Sequence, residues 1–391
     1  MSLLILANDF PPSIGGIQRY LYELAVALHH RGEEVVVIAT EQPQAAEFDA
    51  TSPVLTLRVP AARRFQAARN LADGATSYIH KGPYEEKVKA IIAANWWPDG
   101  YGAWLVRRRT GVPYVVIGHG REMVQTGVNL IKWLMQQLVI RGAAGGLANS
   151  HYSAQQLSRR GLPQKRIQVI YGGVDPTQFA APTTPDELVH RKLAPNNQPI
   201  LLTVGRLVKR KGHSQVMAAL PQIVREIGPV KYLIVGSGPE ERNLRRLTRE
   251  YGIEDYVRFL GEVDDRKLSA LYRDADVFAM PSRDIHGQPI EGFGLVYLEA
   301  NLCGLPVVAG DTGGVSDAVV DGETGLLVNP EDPAAIASAI IRLLRDPDLA
   351  AQLAAAGQAR VLQEFTWEQV AMRCQRALAD WGLSAGPPEV D

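Results

Sequence analysis

Cysteine is scarce in this 391-residue chain, which contains two, Cys303 and Cys374. Two isolated thiols exclude a disulfide framework and a cysteine metal box, so we interpret both as buried structural residues in a reducing compartment. The chain also lacks the run of about 18 apolar residues that a membrane-spanning helix requires. Its first apolar run stops after five residues and follows no basic region, which predicts a buried strand rather than a signal peptide. These absences favour a cytoplasmic protein whose contact with a membrane is at most peripheral.

An excess of charge of one sign is also missing, because the formal net charge is −1. No overall field therefore attracts the chain to nucleic acid. The balance hides an asymmetry: residues 1–180 contain 19 Lys+Arg against 13 Asp+Glu, and the remainder contains 22 against 29. The first half has arginines at 63, 64, 69 and 107–109, and an apolar run with Lys132 and Trp133 at 131–135. This pattern predicts either contact with an anionic lipid surface or a solvated basic face over a core helix.

The length is too great for one ordinary core and predicts two α/β domains or one large barrel. Short apolar runs alternate with helical patterns, which is typical of a doubly wound parallel sheet. Strands are expected at 3–7, 34–39, 54–59, 113–117, 146–148 and 167–170, and again at 200–204, 232–235, 257–260, 277–280, 306–309 and 325–328.

The alternation lapses in a proline-rich stretch between 174 and 199, which is typical of a linker between domains. We therefore predict two Rossmann-like domains, 1–175 and 199–365, joined by a linker at 176–198. Residues 366–391 are predicted to contain a helix that packs back on the N-terminal domain. Because open α/β sheets bind ligands beyond the carboxyl ends of their strands, two such domains facing a cleft would pool their loops into one site.

Two motifs of the first half suit the approach of a ligand. Gly15 and Gly16 connect the first strand to the first helix, where exposed N–H groups and the helix dipole favour an anion. The glycines do not form GxGxxG, and the second strand closes on Ala39 and Thr40 without an acid, which disfavours a dehydrogenase. His119 stands between two glycines after a strand and can reach a ligand, although a lone histidine is also common as a structural residue.

The second half begins with a basic loop, Gly205–Gly212, between a strand and a helix. Arg206 offers a guanidinium fork and Lys211 a point charge, and both suit a pyrophosphate. The alternative is a solvated basic loop. A second strand–glycine–helix junction follows at Gly236-Ser237-Gly238.

A pair of carboxylates eight residues apart, Glu291 and Glu299, flanks a glycine-containing segment. We expect Glu291 on a loop and Glu299 about two turns into the following helix. One acid could take sugar hydroxyls and the other a ribose diol, leaving the first amides of the helix for phosphate. Two exposed helical acids are the alternative.

Together these segments resemble the GT4 family of retaining glycosyltransferases, which have the two-domain GT-B fold. The likeness extends over essentially the whole chain and includes GGIQRYLYELA, GHGRE, ANSHYS, VGRLVKRKG, IVGSGPE, EGFGLVYLEA and TGGVSDAVVDGETGLLV. Within that family the chain is most similar to bacterial phosphatidylinositol mannoside mannosyltransferases. Three segments depart from the family pattern: the usual Pro-Asn-Gly-Val-Asp is YGGVD at 171–175, Gly-Gly-x-Pro-Glu is GGVSD at 313–317, and the acceptor-side segment 58–72 matches no motif, which leaves the acceptor open.

The resemblance implies a catalytic set of His119, Arg206, Lys211 and Glu291. His119 would contact the donor sugar near its 6-hydroxyl, Arg206 and Lys211 would neutralise the pyrophosphate, and Glu291 would hold sugar hydroxyls. The implied donor contacts also include the backbone of Gly16, the ribose-binding Glu299, Val263 near the base, and the segment Gly292, Phe293, Gly294, Leu295 and Val296.

The implied reaction transfers a hexose, mannose or glucose, from a GDP- or UDP-sugar to a hydroxyl of a lipid or cell-envelope glycan. Neither a metal nor a cofactor is implied, because members of the family lack the metal-binding DxD motif. A synthase or phosphorylase acting on a soluble sugar, and a non-catalytic nucleotide-sugar sensor, remain open as alternatives.

Overall fold

The computed structural model describes residues 2–13, 15–81, 88–120, 130–179, 193–194, 197–285 and 291–384. The chain divides into two units, each built around its own parallel sheet. The first unit comprises Met1–Gly173 with Trp367–Asp391, and the second is Val174–Thr366. Most of the predicted linker, 180–192 and 195–196, lies outside the described residues.

The first unit contains a seven-stranded sheet in the order β3-β2-β1-β4-β5-β6-β7 among its described residues. Its strands are β1 (Ser2–Ala7), β2 (Glu34–Thr40), β3 (Leu55–Val59), β4 (Val88–Ala93), β5 (Tyr114–Gly118), β6 (Gly145–Ala148) and β7 (Ile167–Val169). Its helices up to this point are α1 (Gly16–His30), α2 (Ala45–Thr51), α3 (Arg64–Lys81), α4 (Tyr101–Thr110), α5 (Leu130–Gly142) and α6 (His151–Arg159).

In the part of the second unit that the structure describes, six strands form a sheet in the order β10-β9-β8-β11-β12-β13. Its strands are β8 (Ile200–Val204), β9 (Lys231–Val235), β10 (Val257–Gly261), β11 (Val277–Met280), β12 (Val307–Gly310) and β13 (Leu326–Val328). Its helices are α7 (Pro176–Phe179), α8 (His213–Ile227), α9 (Glu241–Glu250), α10 (Asp265–Asp274), α11 (Leu295–Leu302), α12 (Val315–Ala318), α13 (Pro333–Arg345) and α14 (Pro347–Glu364).

The sequence pattern anticipates each of these strands except β4, which pairs with both β1 and β5. Four of its six residues are fully covered, as expected of a central strand in a sheet with helices on both faces. Such a strand shows an unbroken apolar run instead of an alternation, and here Lys89 and two alanines weaken even that run. The predicted doubly wound parallel architecture is confirmed in both units.

The last helix, α15 (Trp367–Asp380), belongs to the first unit. Its apolar side joins α1 in one core, where Leu24, Leu28, Cys374 and Leu378 are buried. At the edge of this core, the Arg31 Nε donates to the Gln375 side chain at 2.8 Å. The C-terminal segment is therefore an integral part of the first unit.

Both sheets have a switch point where the strand order reverses. In the first unit it lies between β1 and β4, and in the second between β8 and β11. Loops leaving the carboxyl ends of adjacent strands diverge there and leave room for a ligand. The sequence motifs described above fall at or beside these two points.

Truncating Leu378 tests the contribution of α15 to the first unit. We expect Leu378→Ala to lower the free energy of unfolding by about 2–5 kcal/mol, because it opens a cavity in a fully covered core. Leu362→Ala, at a half-exposed position of α14, is the matched control and should change it by less than about 0.5 kcal/mol. Urea unfolding of both variants measures the difference, and equal effects would contradict this packing.

Candidate active site

The loop that leaves β8 forms the centre of the candidate site in the second unit. The Gly205 N–H donates to the Val235 carbonyl at 2.9 Å, which ties the turn after β8 to the end of β9. A Cβ on Gly236 would lie 2.2 Å from the Gly205 oxygen, so this backbone contact requires glycine at 236. The contact fixes the start of the loop that carries Arg206 and Lys211.

The two predicted cations of this loop lie in different environments. Lys211 closes the short turn Lys209–Lys211 and is 9% exposed, whereas Arg206 is exposed beside the end of β8. The turn is held against the segment that follows β11, because the Arg283 N–H donates to the Arg210 carbonyl at 2.8 Å. The loop thus combines one immobilised ammonium with a guanidinium at the surface.

Glu291 joins the immobilised cation in an ion-pair cluster. Its Oε2 lies 2.7 Å from the Lys211 Nζ and 2.8 Å from the Arg210 Nη1. Burial raises the pKa of Glu291, but the charges of Lys211 and Arg210 outweigh that effect and lower the pKa to about 2. The carboxylate is therefore ionised at neutral pH. Arg210 was missed by sequence reasoning, although it is one of three consecutive cations in the loop.

A buried histidine adjoins the cluster without adding charge. His213 begins α8 and is 2% exposed. Burial, and secondarily the charge of Lys211, lower the pKa of His213 to about 3, so the ring is neutral at pH 7. The positive charge at this end of β8 therefore comes from the lysine and arginine side chains.

The start of α11 presents backbone amides directly after the acidic loop. Gly294 is the N-cap residue with a φ of 95°, and no side chain caps the helix. A Cβ at this position would lie 2.4 Å from the Tyr297 ring, which is a second reason for glycine. Gly292 lies in the same loop, Phe293 is buried, and Leu295 and Val296 form the first turn. This arrangement of N–H groups suits an anion.

Glu299 lies deeper in the unit than the sequence indicates. It is about one turn into α11, not two, because the helix begins at Leu295. It is 6% exposed and accepts a hydrogen bond from the Tyr272 hydroxyl at 2.8 Å. The alternative of two exposed helical acids is wrong for this pair, since Glu291 is a loop residue and both side chains are largely covered.

Val263 follows the end of β10 in a half-buried position. Its neighbour Glu262 accepts a hydrogen bond from the Ser237 hydroxyl in the glycine turn after β9. The turns after β9 and β10 are thereby joined at the same edge of the sheet as the Lys211 loop.

His119 and Gly16 lie in the first unit. His119 follows β5, is 6% exposed, and its Nε2 lies 2.9 Å from the Ala94 carbonyl at the end of β4. A carbonyl can only accept, so Nε2 carries a proton in this contact. Gly16 begins α1, and a Cβ there would meet nothing within 4 Å. Internal packing therefore does not require glycine at 16. Arg121 and Glu122 of the histidine motif lie outside the described residues.

Asp99 is a further residue at the switch point of the first unit, and the sequence motifs did not identify it. It is fully buried and accepts a hydrogen bond from the Asn8 N–H just beyond β1. Burial raises the pKa of Asp99 to about 7. The sequence did contain one signal for Asp99, because it is an acidic residue that follows two tryptophans, Trp96 and Trp97, shortly after a strand.

The loop after β1 is also held from β2 and β3. The Thr40 hydroxyl donates to the Asn8 carbonyl, and the Arg58 Nη2 donates to the Pro11 carbonyl at 2.6 Å. Arg58 is itself fixed by a bidentate pairing with Asp49 at 2.9 and 2.7 Å. Side chains from several strand ends thus position the segment that leads to Gly16.

The remaining sequence expectations concern metals, membranes and thiols. Within the ranges that the structure describes, no group of three or more His, Cys, Asp or Glu residues could hold a metal ion. No helix in the same ranges combines the length and apolar character needed to cross a membrane. Cys374 is buried, but Cys303 is only half-buried, which corrects the expectation of two buried thiols.

Comparison with known families assigns both halves of the chain. Residues 14–178 match the family described as Glycosyltransferase Family 4, and residues 186–360 match Glycosyl transferases group 1. Two doubly wound sheets with these motifs define an enzyme of the glycosyltransferase class with the GT-B fold. The chain belongs to the GT4 family of glycosyltransferases.

Curated relatives align over nearly the whole chain. A GDP-mannose-dependent alpha-(1-6)-phosphatidylinositol monomannoside mannosyltransferase of Mycolicibacterium smegmatis is 31% identical over 395 residues, covering 96% of this chain and 98% of the relative. The GDP-mannose-dependent enzyme for the monoacylated monomannoside from Corynebacterium glutamicum is 31% identical, covering 96% and 97%. A D-inositol 3-phosphate glycosyltransferase of Rhodococcus erythropolis is 30% identical, covering 98% and 91%.

Solved structures share the fold. Sucrose-phosphate synthase from Thermosynechococcus elongatus has a TM-score of 0.76 at 27% identity, covering 96% of this chain and 97% of that one. Anabaena HepE in complex with UDP and glucose has a TM-score of 0.79 at 22% identity, covering 97% and 100%.

Removing the Glu291 charge tests the ion-pair cluster. We expect Glu291→Gln to lower the free energy of unfolding at pH 7 by about 3 kcal/mol, because its lowered pKa reflects preferential stabilisation of the native carboxylate. The difference from wild type should shrink as the pH falls from about 4.5 towards about 2, where the wild-type carboxylate also becomes protonated.

Urea unfolding as a function of pH measures this difference. Glu241→Gln, which breaks an exposed pairing with Arg245, is the control and should cost no more than about 0.5 kcal/mol. A Glu291→Gln effect as small as that of the control, or one independent of pH, would refute the assignment.

Proposed function

We propose that this glycosyltransferase moves mannose from GDP-mannose, with retention of anomeric configuration, to a hydroxyl of an inositol-containing membrane lipid. The observation that carries the proposal is the cluster of Lys211, Arg210 and Glu291 at the β8–β11 switch point. The choice of mannose and of an inositol acceptor is supported by the named activities of the curated relatives.

The cluster suits the departure of a nucleoside diphosphate. As the glycosidic bond breaks, negative charge develops on the β-phosphate, and groups fixed before the reaction stabilise it best. Glu291 holds the Lys211 ammonium in place, while Arg206 and the first amides of α11 supply further donors. Lys211 and Arg206 would neutralise the diphosphate charge that a metal ion neutralises in other transferases.

We propose that the anomeric configuration is retained because the acceptor attacks the anomeric carbon from the same face from which the leaving group departs. The acceptor oxygen forms the new bond to the anomeric carbon, the bond to the β-phosphate oxygen breaks, and the acceptor proton passes to that phosphate. This route requires no covalent enzyme nucleophile. His119, whose Nε2 is held by the Ala94 carbonyl, would lie beside the sugar 6-hydroxyl.

A lipid acceptor is favoured by one face of the first unit. Helix α5 exposes a group of large apolar side chains among its described residues: Leu130, Ile131, Trp133, Leu134 and Leu138. Ile131 is 69% exposed, which disfavours the alternative, left open by the sequence, that the apolar run at 131–135 belongs to a core helix. We call this group the α5 apolar face.

Aromatic and basic side chains adjoin the α5 apolar face. The Lys132 Nζ lies 5.8 Å from the centre of the Trp96 ring, which links α5 to the turn before α4. From that turn a row of rings at 4.9–5.6 Å separations continues along α3 and α4, formed by Phe65, Trp97, Tyr101 and Trp104. Apolar, aromatic and cationic groups on one face are typical of proteins that bind the surface of anionic membranes.

Substitutions in the basic loop test the donor assignment. Lys211→Met and Arg206→Ala should each lower kcat with GDP-mannose by about 10²–10³-fold, because each removes a donor to the developing phosphate charge. Lys209→Ala, at an exposed position of the same loop, is the control and should stay within about twofold of wild type. Initial rates of GDP release in the presence of acceptor provide the measurement.

Near-normal rates in both Lys211→Met and Arg206→Ala would contradict the proposed mechanism. Chromatography of the product separates the alternatives, since a synthase or phosphorylase would yield a soluble sugar product and a sensor would yield none. Mannosylation of soluble inositol phosphate in preference to lipid would overturn the lipid acceptor.

Liposome binding tests the α5 apolar face. Wild-type protein should sediment with vesicles that contain phosphatidylinositol, and the double variant Ile131→Ser/Leu134→Ser should bind at least about tenfold more weakly, because two exposed apolar side chains are lost. Leu55→Ser removes an equally exposed apolar side chain on β3 and should bind like wild type. Equal binding by all three proteins, or no binding by wild type at low salt, would remove the membrane proposal.

A further inference from the structure

A groove of about 1030 Å³ lies in the first unit along β7, away from the switch point of that sheet. All three consecutive residues of β7, Ile167, Gln168 and Val169, line it. Successive side chains of a strand point to opposite faces of the sheet, so a groove that touches all three runs along the edge of the strand. β7 is the last strand of the described sheet, and β6 is its one neighbour there.

Backbone groups of β7 are directed into this groove. The Ile170 N–H donates to the Ala148 carbonyl at 2.8 Å, towards β6. Because backbone groups alternate in direction along a strand, those of Ile167 and Val169 point the other way, towards the open edge. The groove therefore offers N–H and C=O groups at the spacing that a further strand requires.

Two helices on opposite faces of the sheet form the walls. Leu157 of α6 packs in the core on one face together with Leu4 and Leu6, whereas α15 packs in the core on the other face with Leu3 and Ile5. The edge of β7 is thus recessed between α6 and α15. An extended segment bound there would direct its side chains alternately towards the two walls.

Both walls carry positive charge. Arg159 lies on the α6 wall, and Arg373 and Arg376 lie on the α15 wall. Within the described part of the lining, Asp380 is the one acidic residue. The Arg373 guanidinium lies 5.7 Å from the centre of the Tyr171 ring, which holds it beside the strand. Arg159 and Arg376 are exposed to the groove and to solvent.

We propose that this groove binds an extended acidic polypeptide segment, which adds a strand beside β7 and places carboxylates against the arginines of both walls. An open sheet edge gives affinity through main-chain hydrogen bonds, and the wall side chains select the sequence. Arginines on both faces favour acidic residues at adjacent positions of the bound segment. The partner is a protein with such a segment, and the site is separate from the donor and acceptor sites proposed above.

Selection from a random twelve-residue peptide library displayed on phage, with the full chain immobilised, tests this proposal. The selected peptides are then synthesised, and their Kd is measured by fluorescence anisotropy. We expect acidic sequences that bind at least tenfold more weakly to Arg159→Glu/Arg376→Glu. The control Lys165→Glu/Arg166→Glu makes the same change of charge directly before β7, outside the groove lining, and should bind like wild type.

A second measurement separates strand addition from simple charge attraction. Two versions of a selected peptide are N-methylated, each at alternate residues. Methylating the nitrogens that face β7 should weaken binding at least tenfold, whereas methylating the nitrogens that face away from β7 should weaken it much less. Insensitivity to both methylations, or arginine-dependent binding of heparin without any of the peptides, would overturn the proposal in favour of a general anion site. The proposal would also be overturned if no selected peptide depended on the arginines for binding. The arginines would then serve to keep the open edge of β7 from pairing with another strand. Peptide binding is read without sugar transfer, so failure of the proposed reaction would leave this result unaffected.

Discussion

The pairing of the Lys211 ammonium with the Glu291 carboxylate is the interaction on which the candidate site depends. A buried ammonium needs a partner, and Glu291 supplies one from the loop before α11 at 2.7 Å. The pairing joins the loop after β8 to the loop before α11, so the cation and the amides of that helix keep fixed positions. Such fixed charges and dipoles stabilise a leaving phosphate without rearranging during the reaction. Structural pairing and the proposed catalysis therefore use the same residues.

The first unit uses hydrogen bonds to side chains for a similar purpose. The segment between β1 and α1 is held by Asp99, Thr40 and Arg58, which come from different strand ends and turns. His119 is fixed by the carbonyl at the end of β4. At the switch point of this sheet, packing and hydrogen bonding thus set the backbone that leads to Gly16. The exposed α5 apolar face lies on the same unit, which is where a lipid acceptor is proposed to arrive.

The sequence predicted the architecture well because apolar runs and glycine turns are local signals. It missed β4, a short run interrupted by Lys89 that lacks the alternation of a half-exposed strand. It identified Lys211 and Glu291 individually from a motif, but their direct pairing depends on the adjacency of β8 and β11. Arg210, Asp99 and Arg58 were missed because their partners lie 81, 91 and 47 residues away in the chain, and no local pattern reports such contacts. Likewise, the exposure of Ile131 could not be read from an apolar run that also suits a core helix.

A double-mutant cycle on kcat between Lys211 and Glu291 tests the central claim most directly. The cycle compares Lys211→Met, Glu291→Gln and the double variant with wild type, using GDP-mannose and a phosphatidylinositol-containing acceptor. If Glu291 acts by holding Lys211 against the leaving phosphate, the double variant should be little slower than Lys211→Met alone, with a coupling of about 1–3 kcal/mol. Additive losses would show that the two residues act independently and would contradict the account.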